Sequence, residues 1–166
     1  SAMKAMGAKI QMGDDGLWRV HGVGIGGLRE PEQVLEMGNS GTSTRLLMGL
    51  VGTHDITTTF SGDASLTKRP MRRVVKPLEK MGAQFLCRSG DRLPLTVKGS
   101  ADPLPIEYRP PVASAQVKSA ILLAGLNTPG RTTVIEDHPT RDHSENMLRH
   151  FGIEVKVEEL SGGAQA

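Results

Sequence analysis

One phrase recurs three times along this chain of 166 residues: a helix-like end, then glycine, then a small apolar residue and the start of a strand. It reads Met6-Gly7-Ala8-Lys9-Ile10, then Met81-Gly82-Ala83-Gln84-Phe85, then Phe151-Gly152-Ile153-Glu154-Val155. A glycine in that place closes a helix in the left-handed conformation and lets a strand follow directly. The flanking segments repeat as well. Gly13-Asp14-Asp15-Gly16 leads into Leu17-Trp18-Arg19-Val20, and Gly90-Asp91-Arg92 leads into Leu93-Pro94-Leu95-Thr96-Val97, each a turn between two strands. Thr44 to Leu50 is helical in pattern and precedes the β-rich Ile56 to Phe60; Gln116 to Leu126 is helical and precedes Thr132 to Ile135.

A unit of about 70–75 residues therefore reads helix, strand, helix, strand, strand. The expected fold is α/β or α+β, with helices packed on sheets. The expected organisation is most of one domain over 1–166: a partial first unit at about 1–37, a second at about 38–110 and a third at about 111–160. Opening inside a repeat reads as truncation. Pro70 suits the first turn of a helix carrying Val74, Leu78 and Met81, while Pro77 is expected to kink or break it.

Composition narrows the function. No apolar run exceeds Ala120 to Leu126, far short of the roughly 20 residues a membrane-spanning helix needs. No secretory leader opens the chain, and Cys87 is the single cysteine, which fits a reducing cytoplasm. Cys87 sits in an apolar strand pattern and reads as packing. The net charge is only +2, yet Lys68, Arg69, Arg72, Arg73, Lys76 and Lys80 cluster. Single-strand nucleic-acid binders add aromatic stacking platforms to such a cluster. Aromatics are 3% here, so small anionic ligands fit better than nucleic acid. His138, His143 and His150 lack the cysteine or carboxylate neighbours of a metal site, and no metal is expected.

Four helix starts carry anion-friendly chemistry. Gly38-Asn39-Ser40-Gly41-Thr42-Ser43-Thr44-Arg45 stands immediately before an apolar helix, with glycines that let backbone N–H groups approach an anion and Thr42 or Ser43 as candidate caps. It is not a P-loop, because Thr42 stands where the lysine belongs. Lys68 and Arg69, in Thr67-Lys68-Arg69-Pro70-Met71, stand before the next helix and suit a carboxylate or phosphate clamp. Ser114 reads as the cap of Ala115-Gln116-Val117-Lys118-Ser119, the start of the most apolar helix. Thr140-Arg141-Asp142-His143 corresponds by position to the second motif, with Thr140 as cap and Arg141 as anion ligand. Each motif alone also has a plain structural reading, as a capped helix or a surface pair. Together they predict one electropositive face.

These four runs resemble 5-enolpyruvylshikimate-3-phosphate synthase (3-phosphoshikimate 1-carboxyvinyltransferase), over nearly the whole chain and most specifically from Gly62 to Gly82. The Arg141-Asp142-His143 run is similar to the bacterial class II type. The resemblance implies βαβαββ units in an inverse α/β barrel-like domain, helices inside and sheets outside, and a second domain absent from this chain. It implies that Gly41 lies beside phosphoenolpyruvate and Arg69 binds its charged groups. Ser114 and Ala115 would hold the phosphate of shikimate 3-phosphate, Gln116 would touch both substrates, and Arg141 would contact that phosphate too. Asn39, Thr42, Lys68 and Lys118 are secondary candidates. The implied reaction needs no metal or organic cofactor, and its proton-transfer groups fall outside this chain, which alone is expected to be inactive. Glycine at 41 implies sensitivity to glyphosate. The rival within the superfamily, acting on UDP-N-acetylglucosamine, carries a cysteine in the loop that here reads Ser65 to Pro70. The rival of another class is a non-catalytic anion- or RNA-binding module.

Overall fold

The backbone of a computed structural model describes residues 2–160 and 164–165. All three repeated glycines take the left-handed conformation, with φ of 105° at Gly7, 103° at Gly82 and 83° at Gly152. They close helices α1 (Ala2–Ala5), α3 (Arg72–Lys80) and α5 (His143–His150). Each closure uses the same two hydrogen bonds. Gly82 N–H donates to Glu79 C=O and Ala83 N–H to Leu78 C=O, both at 3.1 Å. Gly7 and Ala8 repeat the pair on Lys4 and Met3, and Gly152 and Ile153 on Arg149 and Leu148. This pairing satisfies carbonyls that a helix end leaves open.

The second unit is complete. It runs β3 (Leu35–Glu36), α2 (Gly41–Gly52), β4 (Thr57–Ser61), α3, β5 (Gln84–Arg88) and β6 (Arg92–Lys98). Its sheet has the order β3-β4-β6-β5, with β3 parallel to β4 and the other pairs antiparallel. That order of elements is βαβαββ. The parallel pairing of Leu35 with Phe60 places β3 in this unit, slightly ahead of the boundary read at 38. The third unit supplies β7 (Glu107–Tyr108), α4 (Ala115–Gly125), β8 (Thr133–Val134) and α5, with β7 parallel to β8. Hairpins β1–β2 (Lys9–Met12, Trp18–His21) and β9–β10 (Glu159–Leu160, Ala164–Gln165) flank these units.

Alternation explains the sheet. Leu93, Leu95 and Val97 on β6 and Thr58 and Phe60 on β4 point to the helices and are buried, while their neighbours face outward. Helices α2 and α4 lie inside, with Met48, Val51, Ala120 and Ile121 among the buried residues. Four separate sheets form, and the described residues close no barrel, so the expectation of a barrel-like domain narrows to α/β with helices inside.

Three local expectations are corrected. Pro70 lies outside α3, whose N-cap position is Met71. Pro77 is inside α3, which stays helical through it at the loss of the one hydrogen bond a proline cannot donate. Residues 153–158 form no strand after Gly152, where the repeat predicts one. Cys87 is a half-buried thiol on β5, and burial pushes its pKa up. No described helix is long and apolar enough to cross a membrane.

Helices α2 and α4 run parallel and touch through backbone. A Cβ placed on Gly49 would stand 2.2 Å from Ala120 O, whereas one on Gly52 would meet Ala83 Cβ at 3.6 Å. At the far end Thr53 Oγ1 donates to Ala124 O at 3.1 Å. Gly49→Ala should therefore destabilise by about 1–3 kcal/mol through overpacking, despite alanine's better helix propensity. Gly52→Ala, in the same helix, should be neutral or stabilising; urea unfolding midpoints of the two variants check the contrast.

Candidate functional site

Because α2 and α4 are parallel, their N-termini emerge side by side. Ser40 caps α2, its Oγ accepting from Ser43 N at 3.4 Å. The cap expected at Thr42 or Ser43 thus lies two or three residues earlier, and Gly41 is the first helical residue. Ser114 caps α4 as expected, its Oγ accepting from Val117 N at 3.4 Å. The two starts are joined directly: Gln116 Nε2 donates to Thr42 Oγ1 at 2.8 Å. Each helix contributes unpaired N–H groups and the positive end of its dipole at the same place.

Arg45 completes the join; the sequence places it at the end of the first motif without giving it a role of its own. Its Nη1 donates to Gln116 Oε1 at 3.1 Å and to Gly41 O at 3.2 Å. The signal available was spacing: four residues after Gly41, its side chain falls on the same helix face. Burial, then the charges of Arg69 and Arg73, hold the Arg45 guanidinium below the usual arginine range. Three like charges gather here against one carboxylate, Asp63, which acts on Arg69; the group stays net positive and favours an anion.

The second motif reaches the same place through a loop contact. Asp63 N donates to Gly38 O at 2.9 Å, fastening the 62–66 loop to the 38–40 loop. Asn39 bridges the motifs, its Nδ2 donating to Asp63 Oδ2 at 2.9 Å while its Oδ1 accepts from Arg69 Nη2 at 2.8 Å. Gly41 is buried, and a Cβ there would stand 2.9 Å from Arg45 Nη1, 3.3 Å from Arg69 Nη1 and 3.4 Å from Leu66 Cδ1. Lys68 ends a 3₁₀ turn (Leu66–Lys68) and is exposed beside this cluster in sequence.

Asn39, Gly41, Thr42, Arg69 and Gln116 are therefore brought together, with Ser114 and half-buried Ala115 at the same helix start. Residues Pro110 to Ser114 and Glu136 to His138 enclose a cavity of about 370 Å³ next to that start. Arg109 and Asp137 pair across the two segments. Arg141 is exposed and makes no hydrogen bond among the described residues. The cap expected at Thr140 is not formed: Asp142 occupies the N-cap of α5, and Thr140 Oγ1 donates to Glu136 Oε1 instead. Lys118 is turned inward, paired with Glu136 at 2.9 Å and Glu145 at 2.6 Å. With those partners and Thr140 it lines a cavity of about 1010 Å³ between α4 and α5. No group of three or more metal-ligating side chains forms among the described residues.

Fold and site define a repeat-built α/β domain that gathers helix starts and guanidinium groups on one face. The sequence model of the family EPSP synthase (3-phosphoshikimate 1-carboxyvinyltransferase) matches residues 1–164, and the chain belongs to that family. It is 67% identical over 165 residues to the 3-phosphoshikimate 1-carboxyvinyltransferase of Novosphingobium aromaticivorans, covering 99% of this chain and 37% of the relative. The protein of that name from Paramagnetospirillum magneticum is 62% identical over the whole chain, again across 37% of its own length. Among solved structures, EPSP synthase from Acinetobacter baumannii matches with a TM-score of 0.87 at 46% identity, covering 98% of this chain and 36% of that one. The chain thus spans a little over a third of the length of the relatives it matches.

Asp63 is the keystone of the loop. Its Oδ1 accepts from Leu66 N at 2.7 Å and Ser65 N at 2.9 Å. Those bonds, first Leu66, hold its carboxyl below the ordinary carboxylate range. A depressed folded-state pKa contributes order that is full above the unfolded value and lost as pH falls through the folded one. Hydrogen-exchange protection of the Ser65 and Leu66 amides, corrected for intrinsic rates, should hold through neutral pH. It should collapse only below the usual carboxylate range, and Asp63→Ala should abolish it at every pH.

Proposed function

We propose that the protein containing this chain transfers the carboxyvinyl group of phosphoenolpyruvate to the 5-hydroxyl of shikimate 3-phosphate, a step of aromatic amino acid biosynthesis. One observation carries the reading: two parallel helix starts, tied by Thr42, Gln116 and Arg45, open beside a buried glycine flanked by Arg45 and Arg69. Such a face suits two anionic substrates held next to each other.

In this reading the enolpyruvyl carboxylate and phosphate lie over Gly41 and Arg69. The shikimate phosphate sits at the start of α4 on Ser114 and Ala115, with Arg141 closing on it from the 136–142 segment. Gln116, standing between the helix starts, contacts both substrates. Asn39 acts through Arg69, whose guanidinium it orients, and Lys68 adds positive charge at the rim.

The chemistry balances without a redox partner. The phosphoenolpyruvate methylene carbon gains a proton, and the shikimate 5-hydroxyl gives one up to a base as its oxygen bonds to C2, giving a tetrahedral adduct. The adduct then loses the phosphate and a methyl proton to restore the vinyl group. This chain contributes positioning and charge stabilisation. The proton-transfer groups belong to the remainder of the longer protein.

Family membership favours this substrate over UDP-N-acetylglucosamine, since the matching relatives carry the shikimate name. An RNA-binding module has only the basic cluster in its favour, and two of that cluster's arginines have partners: Arg69 with Asn39 and Arg72 with Asp91.

Calorimetry with shikimate 3-phosphate tests the reading. Ser114→Ala and Arg141→Ala should each weaken binding roughly 10- to 100-fold, as expected for a lost charge-assisted hydrogen bond. Heats unchanged by both, or steeply salt-dependent RNA binding in their place, would refute it. A second measurement concerns Gly41. A methyl there reaches both guanidinium groups, so Gly41→Ala in the full-length protein should raise the glyphosate concentration needed for half-inhibition by about tenfold or more. Equal inhibition of the two proteins would count against placing phosphoenolpyruvate over residue 41.

A further inference from the structure

Among the described residues, the buried charges of Lys118 and Glu145, with the Glu136 carboxylate beside them, lie outside the candidate site. They lie one helical turn behind it. Lys118 has a side chain only 6% exposed, and its two partners Glu136 and Glu145 are 11% and 9% exposed. Burial works against the Lys118 ammonium, and the bonds to Glu145 and Glu136 outweigh it, holding its pKa above the ordinary lysine value. The lysine therefore stays charged, as the pairing requires.

The three anchors belong to three pieces of the chain. Lys118 is on α4, and its own N–H donates to Ser114 O at 3.1 Å, so it is rigidly tied to the cap of that helix. Glu136 begins the segment leading to α5, and Thr140 Oγ1 donates to it from the other end of that segment. Glu145 is in the first turn of α5, where Ser144 Oγ also donates to Ser119 Oγ of α4 at 2.6 Å. Arg141 lies between the Thr140 and Glu145 anchors while making no described hydrogen bond itself. Its backbone is thus fixed from both sides to the helix whose start carries Ser114, Ala115 and Gln116.

We infer that Lys118, Glu136 and Glu145 form a buried clamp that sets the position of Arg141 against the start of α4, making all three positioning residues for the phosphate of shikimate 3-phosphate. The inference rests on the substrate reading above. A clamp needs charge here because a neutral contact would leave the 136–142 segment free to slide. One lysine with two bonded carboxylates fixes both ends at once. Glu145 Oε2 is buried with no hydrogen-bond partner, so the triad is not the arrangement that stability alone would select. That cost is accounted for if the geometry it imposes is needed elsewhere.

The test is a double-mutant cycle in the full-length protein between Glu145→Gln and Arg141→Ala, reading KM for each substrate, kcat and thermal midpoint. Glu145→Gln preserves shape and leaves Lys118 paired with Glu136, so the fold is retained; Glu136→Gln is the mirror variant. Each should raise KM for shikimate 3-phosphate on the order of tenfold, leave KM for phosphoenolpyruvate within twofold, and have no further effect once Arg141 is alanine. A lower thermal midpoint with the ratio of the two KM values unchanged would overturn the clamp, as would an effect that adds fully to Arg141→Ala. The substrate reading fails differently: Arg141→Ala itself would then leave KM for shikimate 3-phosphate unaltered.

Discussion

Helix α2 can lie against α4 at backbone distance only because residue 49 carries no side chain, and the rest of the site follows from that approach. With the axes this near and parallel, the side chains at the two starts meet without spacers. Gln116 then spans to both Thr42 and Arg45. A larger residue at 49 would push the axes apart, and the Gln116 amide could no longer hold both partners at 2.8 and 3.1 Å. Interior packing is stiff enough that such a displacement is carried along a helix rather than absorbed locally. A contact in the core thus governs a polar arrangement two turns away.

Charge is organised in two layers behind and before those starts. The outer layer is net positive: Arg45 and Arg69, with Arg73 near enough to lower the Arg45 pKa, against the single carboxylate of Asp63. The inner layer is the Lys118 triad, where one cation is matched by two carboxylates. The first layer is suited to receive charge from outside, the second to hold backbone in place. Asp63 works with the outer layer without neutralising it. Its carboxylate is occupied by backbone N–H groups and by Asn39, which leaves the guanidinium groups free to meet a ligand.

Much of this could be read from the sequence, and the failures share a cause. The recurring glycines predicted three left-handed helix ends because only a residue without Cβ adopts that conformation cheaply, a purely local constraint. Ser114 as a cap and the grouping of Gly41, Arg69 and Gln116 were legible for related reasons: polar residues at a helix start, repeated in register. The cap of α2 was misplaced because Ser40, Thr42 and Ser43 are all chemically competent, and choosing among them depends on where the Gly38 turn releases the chain. Thr140 was misread because its hydroxyl had a competitor that sequence does not reveal, the carboxylate of Glu136 held in reach by Lys118. Lys118 is named in the sequence only by its place in the third motif; its ion pairs with Glu136 and Glu145 depend on tertiary packing. The missing strand after Gly152 shows the limit of repeat logic: a cap is determined within its own turn, whereas a strand also needs a partner.

The surroundings of Gly41 set how this protein can be adjusted over generations. Amino-acid side chains offer no step between a hydrogen and a methyl, and the methyl alone already reaches two cations. Substitution at 41 is therefore a coarse instrument that moves both guanidinium groups together. Finer tuning has to come from the opposite wall, where Leu66 stands 3.4 Å from the same point and exchange among aliphatic shapes changes volume in smaller increments. Variation that refines ligand discrimination should accumulate along that aliphatic wall, with residue 41 restricted to all-or-none changes.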